Sequence, residues 1–199
     1  MKIVETSIPG VLIFEPKVFG DERGVFVETY RESLLIEAGI HLPFVQDNQS
    51  RSRRGVLRGL HYQLQQPQAK LVRVARGRVF DVAVDVRRGS PTFGKWVGEI
   101  LDDQSHRQMY IPQGFAHGFV VLSEIADFVY KCSDYYHPLS EAGIFWNDPF
   151  IGIDWPRDVL GDLVLSDKDR TLPLLNDQRP ELLPIYGETT QATSRDELY

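Results

Sequence analysis

The stretch Arg78-Val79-Phe80-Asp81-Val82-Ala83-Val84-Asp85-Val86 decides the fold class. It is rich in β-branched residues and is followed by the turn signal Arg88-Gly89-Ser90-Pro91, a combination typical of a buried β-strand. On both sides of it, similar short apolar runs alternate with turn residues. These further strand candidates are 11–14, 24–30, 56–63, 71–75, 96–101, 108–111, 118–122 and 127–132. The chain is therefore predicted to consist mainly of short strands.

Such strands with few helices predict an all-β sandwich or barrel, in which closure or two-layer packing protects the sheet edges. Two short peripheral helices are predicted. One covers 32–38 and stops at Gly39, and the other begins at Ser166-Asp167-Lys168-Asp169, which has the Ser-x-x-acid form of a capping box. The end of the chain is polar and lacks periodicity. We therefore expect one domain over residues 1–185 and a flexible tail over 186–199.

The composition is that of a protein with a substantial core. Of 199 residues, 42% are hydrophobic, 11% aromatic and 25% charged, which excludes disorder, collagen and coiled coil as descriptions of the whole chain. No apolar run approaches the roughly 20 residues that cross a bilayer, and the N-terminal residues lack a signal-peptide core. Cys132 is the single cysteine. We expect a cytoplasmic protein with no membrane partner.

The charge is unevenly distributed. A net charge of −6 argues against a general nucleic-acid binder. Between Asn48 and Phe80, however, there is no acidic residue, and the segment holds eight basic ones: Arg51, Arg53, Arg54, Arg58, Lys70, Arg73, Arg76 and Arg78. One interpretation is a solvated basic face, which is the default for the first three because they fall in a polar Ser/Arg loop. The other is a binding site for a small phosphorylated ligand.

Candidate chemistry rests on titratable residues inside predicted strands, because burying such groups is costly unless they have partners or a function. His61 lies in segment 56–63, where alternation places it on the same face as Gly59. Arg58 would point the opposite way in a regular strand. A site that uses both Arg58 and His61 needs a local bulge, and Gly59 is the residue to provide it.

Other proton-handling residues follow His61 along the chain. Segment 112–119 brings His117 to the head of a strand, and segment 127–131 carries Tyr130. A lone histidine is more often a satisfied core residue. Histidine, tyrosine, lysine and aspartate together are the residue types that a cofactor-free proton-transfer site would use.

Seven segments in order resemble the dTDP-4-dehydrorhamnose 3,5-epimerase family. They are 21–28, 46–50, 55–63, 68–74, 89–94, 111–119 and 166–169, and the resemblance spans roughly residues 1–180. It implies a double-stranded β-helix or jelly roll of the cupin type, a homodimer, and no metal or organic cofactor. It also implies a substrate, dTDP-4-keto-6-deoxy-D-glucose, epimerised at carbons 3 and 5 to dTDP-4-keto-L-rhamnose.

Epimerisation beside a ketone needs a base, an acid on the opposite face and a group that stabilises the enolate. By resemblance, His61 is the base, Tyr130 is the acid, Asp169 pairs with His61, and Lys70 lies beside the ketone oxygen. The alternatives are a capping-box acid for Asp169 and a half-buried strand aromatic for Tyr130.

The resemblance also implies residues that bind the nucleotide. They are Arg23, Glu28, Gln46, Asp47, Asn48, Arg58, His117, Glu141 and Lys168, with Phe26 and Tyr136 stacking on thymine unless they serve core packing. Arg23 and Arg58 suit the diphosphate, because a guanidinium donates two hydrogen bonds at once. In this family's fold the N-terminal region crosses to the partner subunit. Residues 23–28 are therefore expected to serve the neighbouring site.

Two other classes of protein stay open. A metal-dependent cupin would need about three converging ligands, often with His-x-His spacing, whereas Tyr62 and Gln63 follow His61. A non-enzymatic ligand-sensing or nucleic-acid module would use the basic segment and have no use for His61 and Tyr130. Within the family, a 3-epimerase, a non-catalytic nucleotide-sugar-binding cupin, and a rhamnose or antibiotic-sugar pathway are alternatives.

Overall fold

The computed structural model describes residues 1–187 and arranges them as two packed β-sheets and a separate hairpin. The strands are β1 Lys2–Glu5, β2 Leu12–Glu15, β3 Val18–Asp21, β4 Gly24–Val27, β5 Gln46–Arg53, β6 Leu57–Gln63, β7 Lys70–Arg76, β8 Arg78–Asp85, β9 Trp96–Asp102, β10 Gln108–Ile111, β11 Phe115–Val121, β12 Ile125–Cys132 and β13 Glu141–Gly143.

The sheets have six and five strands. Their orders are β1-β2-β10-β7-β12-β5 and β13-β6-β11-β8-β9, with antiparallel pairing throughout, while β3 and β4 pair only with each other. Buried side chains from the facing sides of both sheets form one core cluster. This confirms the predicted all-β, cupin-like jelly roll with short peripheral helices.

The alternation along β8 explains why its sequence decides the fold. Val79 and Ala83 belong to the core between the sheets. Val82 and Val84 point to the opposite side and pack beneath residues of the C-terminal segment, such as Trp155. A strand buried on both faces reads as a continuous apolar run.

Strand β5 differs from the sequence prediction, which placed Arg51 and Arg53 in a polar loop. The strand pairs with β12 over its whole length, from Gln46 opposite Cys132 to Arg53 opposite Ile125. It forms the edge of the six-stranded sheet, and Ser52 is its one buried residue. Edge strands favour polar and charged side chains, so the apolar alternation that marks a strand is missing.

The remaining boundaries differ by small amounts. β1, β3 and β13 were not predicted, and β4 ends at Val27 rather than at residue 30. Helix α1, Glu32–Glu37, ends close to Gly39 as predicted and packs Leu35 against the outer face of the six-stranded sheet. Helix α2 is Asp167–Arg170. Short 3-10 helices cover Pro138–Ser140, Arg157–Asp162, Leu175–Asp177 and Pro180–Leu182.

The end of the described chain is attached to the body of the protein. The backbone N–H of Tyr186 donates to the carbonyl of Arg88, and the Arg87 guanidinium lies over the Tyr186 ring. The predicted tail, 186–199, otherwise falls on residues 188–199, which lie outside the described residues. No helix within residues 1–187 combines the length and apolar character needed to span a membrane.

Candidate active site

A cavity of about 530 Å³ opens between the two sheets, and the four predicted catalytic residues all line it. Seven predicted site residues contribute to its wall: Arg58, His61, Lys70, His117, Tyr130, Lys168 and Asp169. The rest of the wall is largely apolar, with residues such as Leu57, Phe119 and Phe128. The fold therefore brings together all four residues expected to carry the chemistry.

A bulge in β6 brings Arg58 and His61 to the same cavity. His61 pairs with His117 of β11, but Arg58 pairs with Phe119, so two β6 residues oppose one β11 residue between these pairs. Gly59 lies in this irregular segment with a φ of +125°. A Cβ atom there would lie 2.5 Å from the Gly118 Cα, so only glycine fits. The predicted bulge at Gly59 is confirmed.

His61 and Asp169 form a tight pair. The His61 Nε2 lies 2.6 Å from the Asp169 Oδ1, and the carboxylate is 5% exposed. Burial alone would raise the pKa of Asp169, but the hydrogen bond and charge of His61 outweigh it, so the pKa is lowered. Asp169 is therefore an acceptor that fixes the Nε2–H tautomer of the imidazole and leaves Nδ1 free to take a proton.

Helix α2 accounts for the position of Asp169. The Ser166 hydroxyl caps the helix by accepting from the backbone N–H of Asp169 at 3.1 Å. The capping bond thus uses the backbone of Asp169, while its side chain turns towards β6. Asp169 therefore takes part in the capping box through its backbone and pairs with His61 through its side chain.

A second carboxylate lies on the other side of His61. The Glu141 Oε1 is 3.9 Å from the His61 Nδ1. Glu141 also accepts from the Lys168 Nζ at 2.5 Å and from the Tyr136 hydroxyl at 2.8 Å. Burial favours a higher pKa for Glu141, but these donors and His61 outweigh it and lower the pKa. Glu141 therefore bonds to α2 and to the Tyr136 loop and lies close to the His61 imidazole.

Lys70 and Tyr130 present unpaired head groups to the cavity. Within residues 1–187, neither the Lys70 ammonium nor the Tyr130 hydroxyl has a side-chain hydrogen bond or an ion pair. Burial lowers the pKa of Lys70, against the opposing effects of Cys132, Asp81 and Glu141. Burial also raises the pKa of Tyr130, which keeps its phenol protonated at neutral pH. One side chain can stabilise negative charge and the other can donate a proton.

His117 has a carboxylate partner that the sequence analysis missed. Its Nε2 lies 3.0 Å from the Asp81 Oδ2, and Asp81 is completely buried. Burial lowers the pKa of His117 and raises that of Asp81, each against the opposing effect of its partner. A charged residue inside a run that is buried on both faces was the available signal in the sequence.

Arg58 is the basic residue best placed for an anionic ligand. Its Nε and Nη2 donate to the Ser52 hydroxyl at 3.2 and 3.1 Å. In the part of the chain that the structure describes, no carboxylate neutralises it. The guanidinium is thus oriented by a neutral partner and keeps its charge available.

The hairpin residues lie apart from the cavity wall. Arg23 donates to Asp21 within the β3–β4 turn, and Arg31 donates to Glu28 at 2.6 Å. Phe26 is 71% exposed and Tyr136 is 53% exposed, so core packing does not account for either ring. Their side chains are free to contact a ligand or a second subunit.

Three predicted binding residues, Gln46, Asp47 and Asn48, lie at the N-terminal end of β5. Gln46 donates to the Asn48 Oδ1 at 3.1 Å and accepts from the backbone of Tyr136, while Asp47 pairs with Lys131 at 2.5 Å. Asp47 and Asn48 line a second depression, of about 410 Å³, bordered by Arg73 and other residues of the six-stranded sheet. Asn48 is also the register partner of Tyr130.

Within residues 1–187, no group of three His, Cys, Asp or Glu side chains is arranged to hold a metal ion.

The family model described as dTDP-4-dehydrorhamnose 3,5-epimerase matches residues 5–177. The chain belongs to this epimerase family. An epimerase of this name from Pseudomonas aeruginosa is 60% identical over 172 residues, covering 85% of this chain and 93% of the relative.

Solved structures agree with the dTDP-4-dehydrorhamnose 3,5-epimerase assignment. A dTDP-6-deoxy-D-glucose-3,5-epimerase from Legionella pneumophila, in complex with dTDP-4-keto-L-rhamnose, has a TM-score of 0.90 and 57% identity, covering 94% of this chain and 99% of that one. A 3′-monoepimerase from Streptomyces bikiniensis, in complex with dTDP-quinovose, has a TM-score of 0.85 and 40% identity, covering 91% and 92%. This epimerase fold therefore occurs in enzymes with different outcomes at the sugar.

Proposed function

We propose that this chain epimerises dTDP-4-keto-6-deoxy-D-glucose at carbons 3 and 5 to give dTDP-4-keto-L-rhamnose, without a metal or organic cofactor. The observation that carries the proposal is one cavity lined by the His61–Asp169 pair, the Lys70 ammonium and the Tyr130 phenol. Membership of the epimerase family supports it. So does the similar Legionella pneumophila enzyme with dTDP-4-keto-L-rhamnose bound.

The first step is proton abstraction beside the ketone. The His61 nitrogen that is not bonded to Asp169 takes the proton from carbon 3 or 5, and the electrons of the broken C–H bond move to the carbonyl oxygen. Asp169 stabilises the imidazolium that results, because its carboxylate already accepts from the other ring nitrogen. Lys70 lies by the oxygen and stabilises the enolate through its positive charge.

The second step delivers a proton to the opposite face of the sugar. Tyr130 donates its phenolic proton to the carbanionic carbon, which forms the new C–H bond and inverts the centre. His61 and Tyr130 then hold a proton too many and one too few, and exchange with solvent restores both. The raised pKa of Tyr130 makes its phenolate a temporary state at neutral pH.

The nucleotide half of the substrate extends along Arg58, at the cavity wall, towards the exposed residues. Arg58 and Lys168 supply positive charge, with Gln46, Asp47, Asn48, His117 and Glu141 as further contacts. We propose that Tyr136 stacks on thymine, and that Arg23, Phe26 and Glu28 reach the site of the partner subunit in a homodimer. The outward orientation of the hairpin supports this arrangement, since Val25 and Phe26 are 66% and 71% exposed.

We place the reaction in the cytoplasm, in dTDP-L-rhamnose or related deoxysugar biosynthesis for lipopolysaccharide or cell-wall polysaccharide. The single cysteine is consistent with a reducing compartment. Neither nucleic acid nor membrane is proposed as a partner.

Deuterium incorporation tests the reaction directly. Purified protein and dTDP-4-keto-6-deoxyglucose are incubated in heavy water with chelator and without added cofactor. An enolate mechanism exchanges the proton at every carbon that it inverts, so label is expected at carbons 3 and 5. Label at carbon 3 alone would indicate the second candidate, a 3-epimerase like the Streptomyces bikiniensis relative. No label, with dTDP still bound, would leave a nucleotide-sugar-binding cupin and contradict the proposal.

A further inference from the structure

Asp81 is a buried carboxylate that the proposed mechanism leaves without a role. It lies on the inner side of β8 between Val79 and Ala83, and it is 0% exposed. Its two carboxylate oxygens lie 3.2 and 3.0 Å from the His117 Nε2. Burying a carboxylate is strongly unfavourable unless hydrogen bonds and opposite charge compensate for the lost hydration. The His117 imidazole supplies the hydrogen bond and the largest compensating effect, yet burial still raises the pKa of Asp81, so further positive charge nearby stabilises the carboxylate.

Besides His117, Lys70 is a cationic residue whose charge acts on Asp81. Its side chain leaves β7 on the same side as Val72 and Val74 and so enters the space between the sheets. Within residues 1–187 its ammonium has no ion pair. The titratable groups facing it are the carboxylates of Asp81 on β8 and Glu141 on β13, the thiol of Cys132 and phenol of Tyr130 on β12, and the imidazoles of His61 on β6 and His117 on β11.

The two carboxylates near Lys70 differ in whether their negative charge is already paired with another cation. Glu141 already forms an ion pair with Lys168 and accepts from Tyr136. Among the described residues, the side chain of Asp81 is bonded only to the imidazole of His117, whose own charge is disfavoured by burial. The negative charge of Asp81 is thus balanced first by His117 and in addition by Lys70, whose side chain lines the same cavity as His117.

We propose that Asp81 is a positioning residue, whose carboxylate orients His117 and serves as the counter-charge that keeps Lys70 an ammonium facing the substrate. The part that concerns catalysis rests on the proposed function, in which Lys70 stabilises the enolate. The charge coupling between Asp81 and Lys70 stands without it.

The coupling has a definite sign. Burial lowers the pKa of Lys70, and Asp81 opposes that shift. Replacing Asp81 by the neutral, similarly shaped asparagine removes the opposition, so the pKa of Lys70 falls further. A lysine with a lowered pKa loses its proton as the pH rises. Asp81→Asn is therefore expected to move the alkaline limb of the activity profile to lower pH, because the ammonium that stabilises the enolate is lost earlier.

A titration of Lys70 measures the coupling without any enzyme assay. The chain has six lysines, so ¹³Cε-labelled lysine gives a small set of NMR signals, in which Lys70→Arg identifies the Lys70 signal. In Asp81→Asn the Lys70 midpoint is expected to fall by at least about one pH unit. The control is Asp85→Asn, which removes an equally buried carboxylate from the same strand, one that pairs with Arg87 instead. An unchanged Lys70 midpoint in Asp81→Asn would overturn the proposal.

A double-mutant cycle provides a second readout that is also independent of activity. Asp81→Asn leaves Lys70 without its counter-charge, whereas in a Lys70→Met background no charge is left behind. The drop in urea midpoint caused by Asp81→Asn should be about twice as large in the wild-type background as in the Lys70→Met background. Equal drops would contradict the coupling.

The coupling between Asp81 and Lys70 can still be tested if a variant fails to fold. If Asp81→Asn alone is unfolded, a folded Lys70→Met/Asp81→Asn double variant supports the proposal and an unfolded one contradicts it. If the wild-type chain shows no epimerase activity, the proposed function fails, while the Lys70 titration and the unfolding cycle still decide whether Asp81 and Lys70 are coupled.

Discussion

The cavity between the sheets and the β3–β4 hairpin represent opposite ways of holding polar residues. In the cavity, each histidine is fixed by a buried carboxylate, His61 by Asp169 and His117 by Asp81. In the hairpin, Arg23 is 85% exposed, and within residues 1–187 its side chain bonds only to the neighbouring Asp21. In the proposed function, this difference corresponds to a catalytic centre held within one chain and to nucleotide-binding contacts that a second chain completes.

Energetics support the same division. A two-stranded hairpin is at best marginally stable by itself, and β3–β4 pairs with no other strand in the described chain. It also exposes Phe19 and Phe26, which are register partners and form an apolar surface on one face of the hairpin, and Val25 on the other face. A surface of this kind, next to an arginine with only a local partner, is typical of an interface. Variants in the two regions should therefore fail in different ways.

The largest expected effect is that of His61→Asn. The base acts only on the chemical step, so kcat should fall by roughly 10³-fold or more while the fold and dTDP binding are kept. Turnover with dTDP-4-keto-6-deoxyglucose and calorimetric titration with dTDP measure the two properties separately. Activity within about tenfold of wild type would remove His61 from the role of base.

Tyr130→Phe is expected to cost less, roughly 10²-fold in product formation, and to leave part of the reaction running. In the proposed mechanism, proton abstraction by His61 comes before reprotonation by Tyr130. His61 can exchange its proton with heavy water and return a deuteron to the same face. Deuterium should therefore enter the substrate faster than product forms. Small and equal effects on both rates would mean that Tyr130 is only a packing residue of β12.

The sequence predicted the fold best where physical signals were strong. β8 was predicted at 78–86 and lies at Arg78–Asp85, because a strand buried on both faces is continuously apolar. β5 was missed for two reasons. Its pairing with β12 joins segments that are distant in the sequence, and an edge strand carries no apolar alternation. Local sequence does not contain that information.

The candidate site shows the same limit. The bulge at Gly59 could be predicted, because alternation alone separates Arg58 from His61. The contact between Asp81 and His117 joins residues 36 apart in the sequence, and no short motif indicates it. The charged residue in an apolar run was visible, but its partner depended on the register of β8 and β11.

Variants of the predicted binding residues test the comparison through smaller effects, which are measured as dTDP affinity. Arg58→Ala should weaken dTDP binding by about 10- to 100-fold, the usual effect of losing charge-assisted hydrogen bonds to a phosphate. Arg23→Ala should also weaken it, through the partner's site. Arg51→Ala is the matched control on β5, because Arg51 forms a two-bond ion pair with Asp127 instead. Unchanged dTDP affinity in Arg58→Ala would indicate a solvated basic face.

The smallest expected signal is a partial recovery of activity, and it decides whether the hairpin serves its own cavity or that of a partner. His61→Asn has an inactive cavity and an intact hairpin, and Arg23→Ala has the reverse. If the hairpin crosses between subunits, a mixed dimer of the two contains one site with an intact cavity and an intact hairpin. Unfolding and refolding the variants together at equal amounts makes half of the dimers mixed, so activity should recover to about one quarter of wild type. If the hairpin serves its own subunit, every site in the mixture carries one defect. The activity would then stay at the mean of the two separate variants, and the contrast between a complete cavity and a shared hairpin would be wrong.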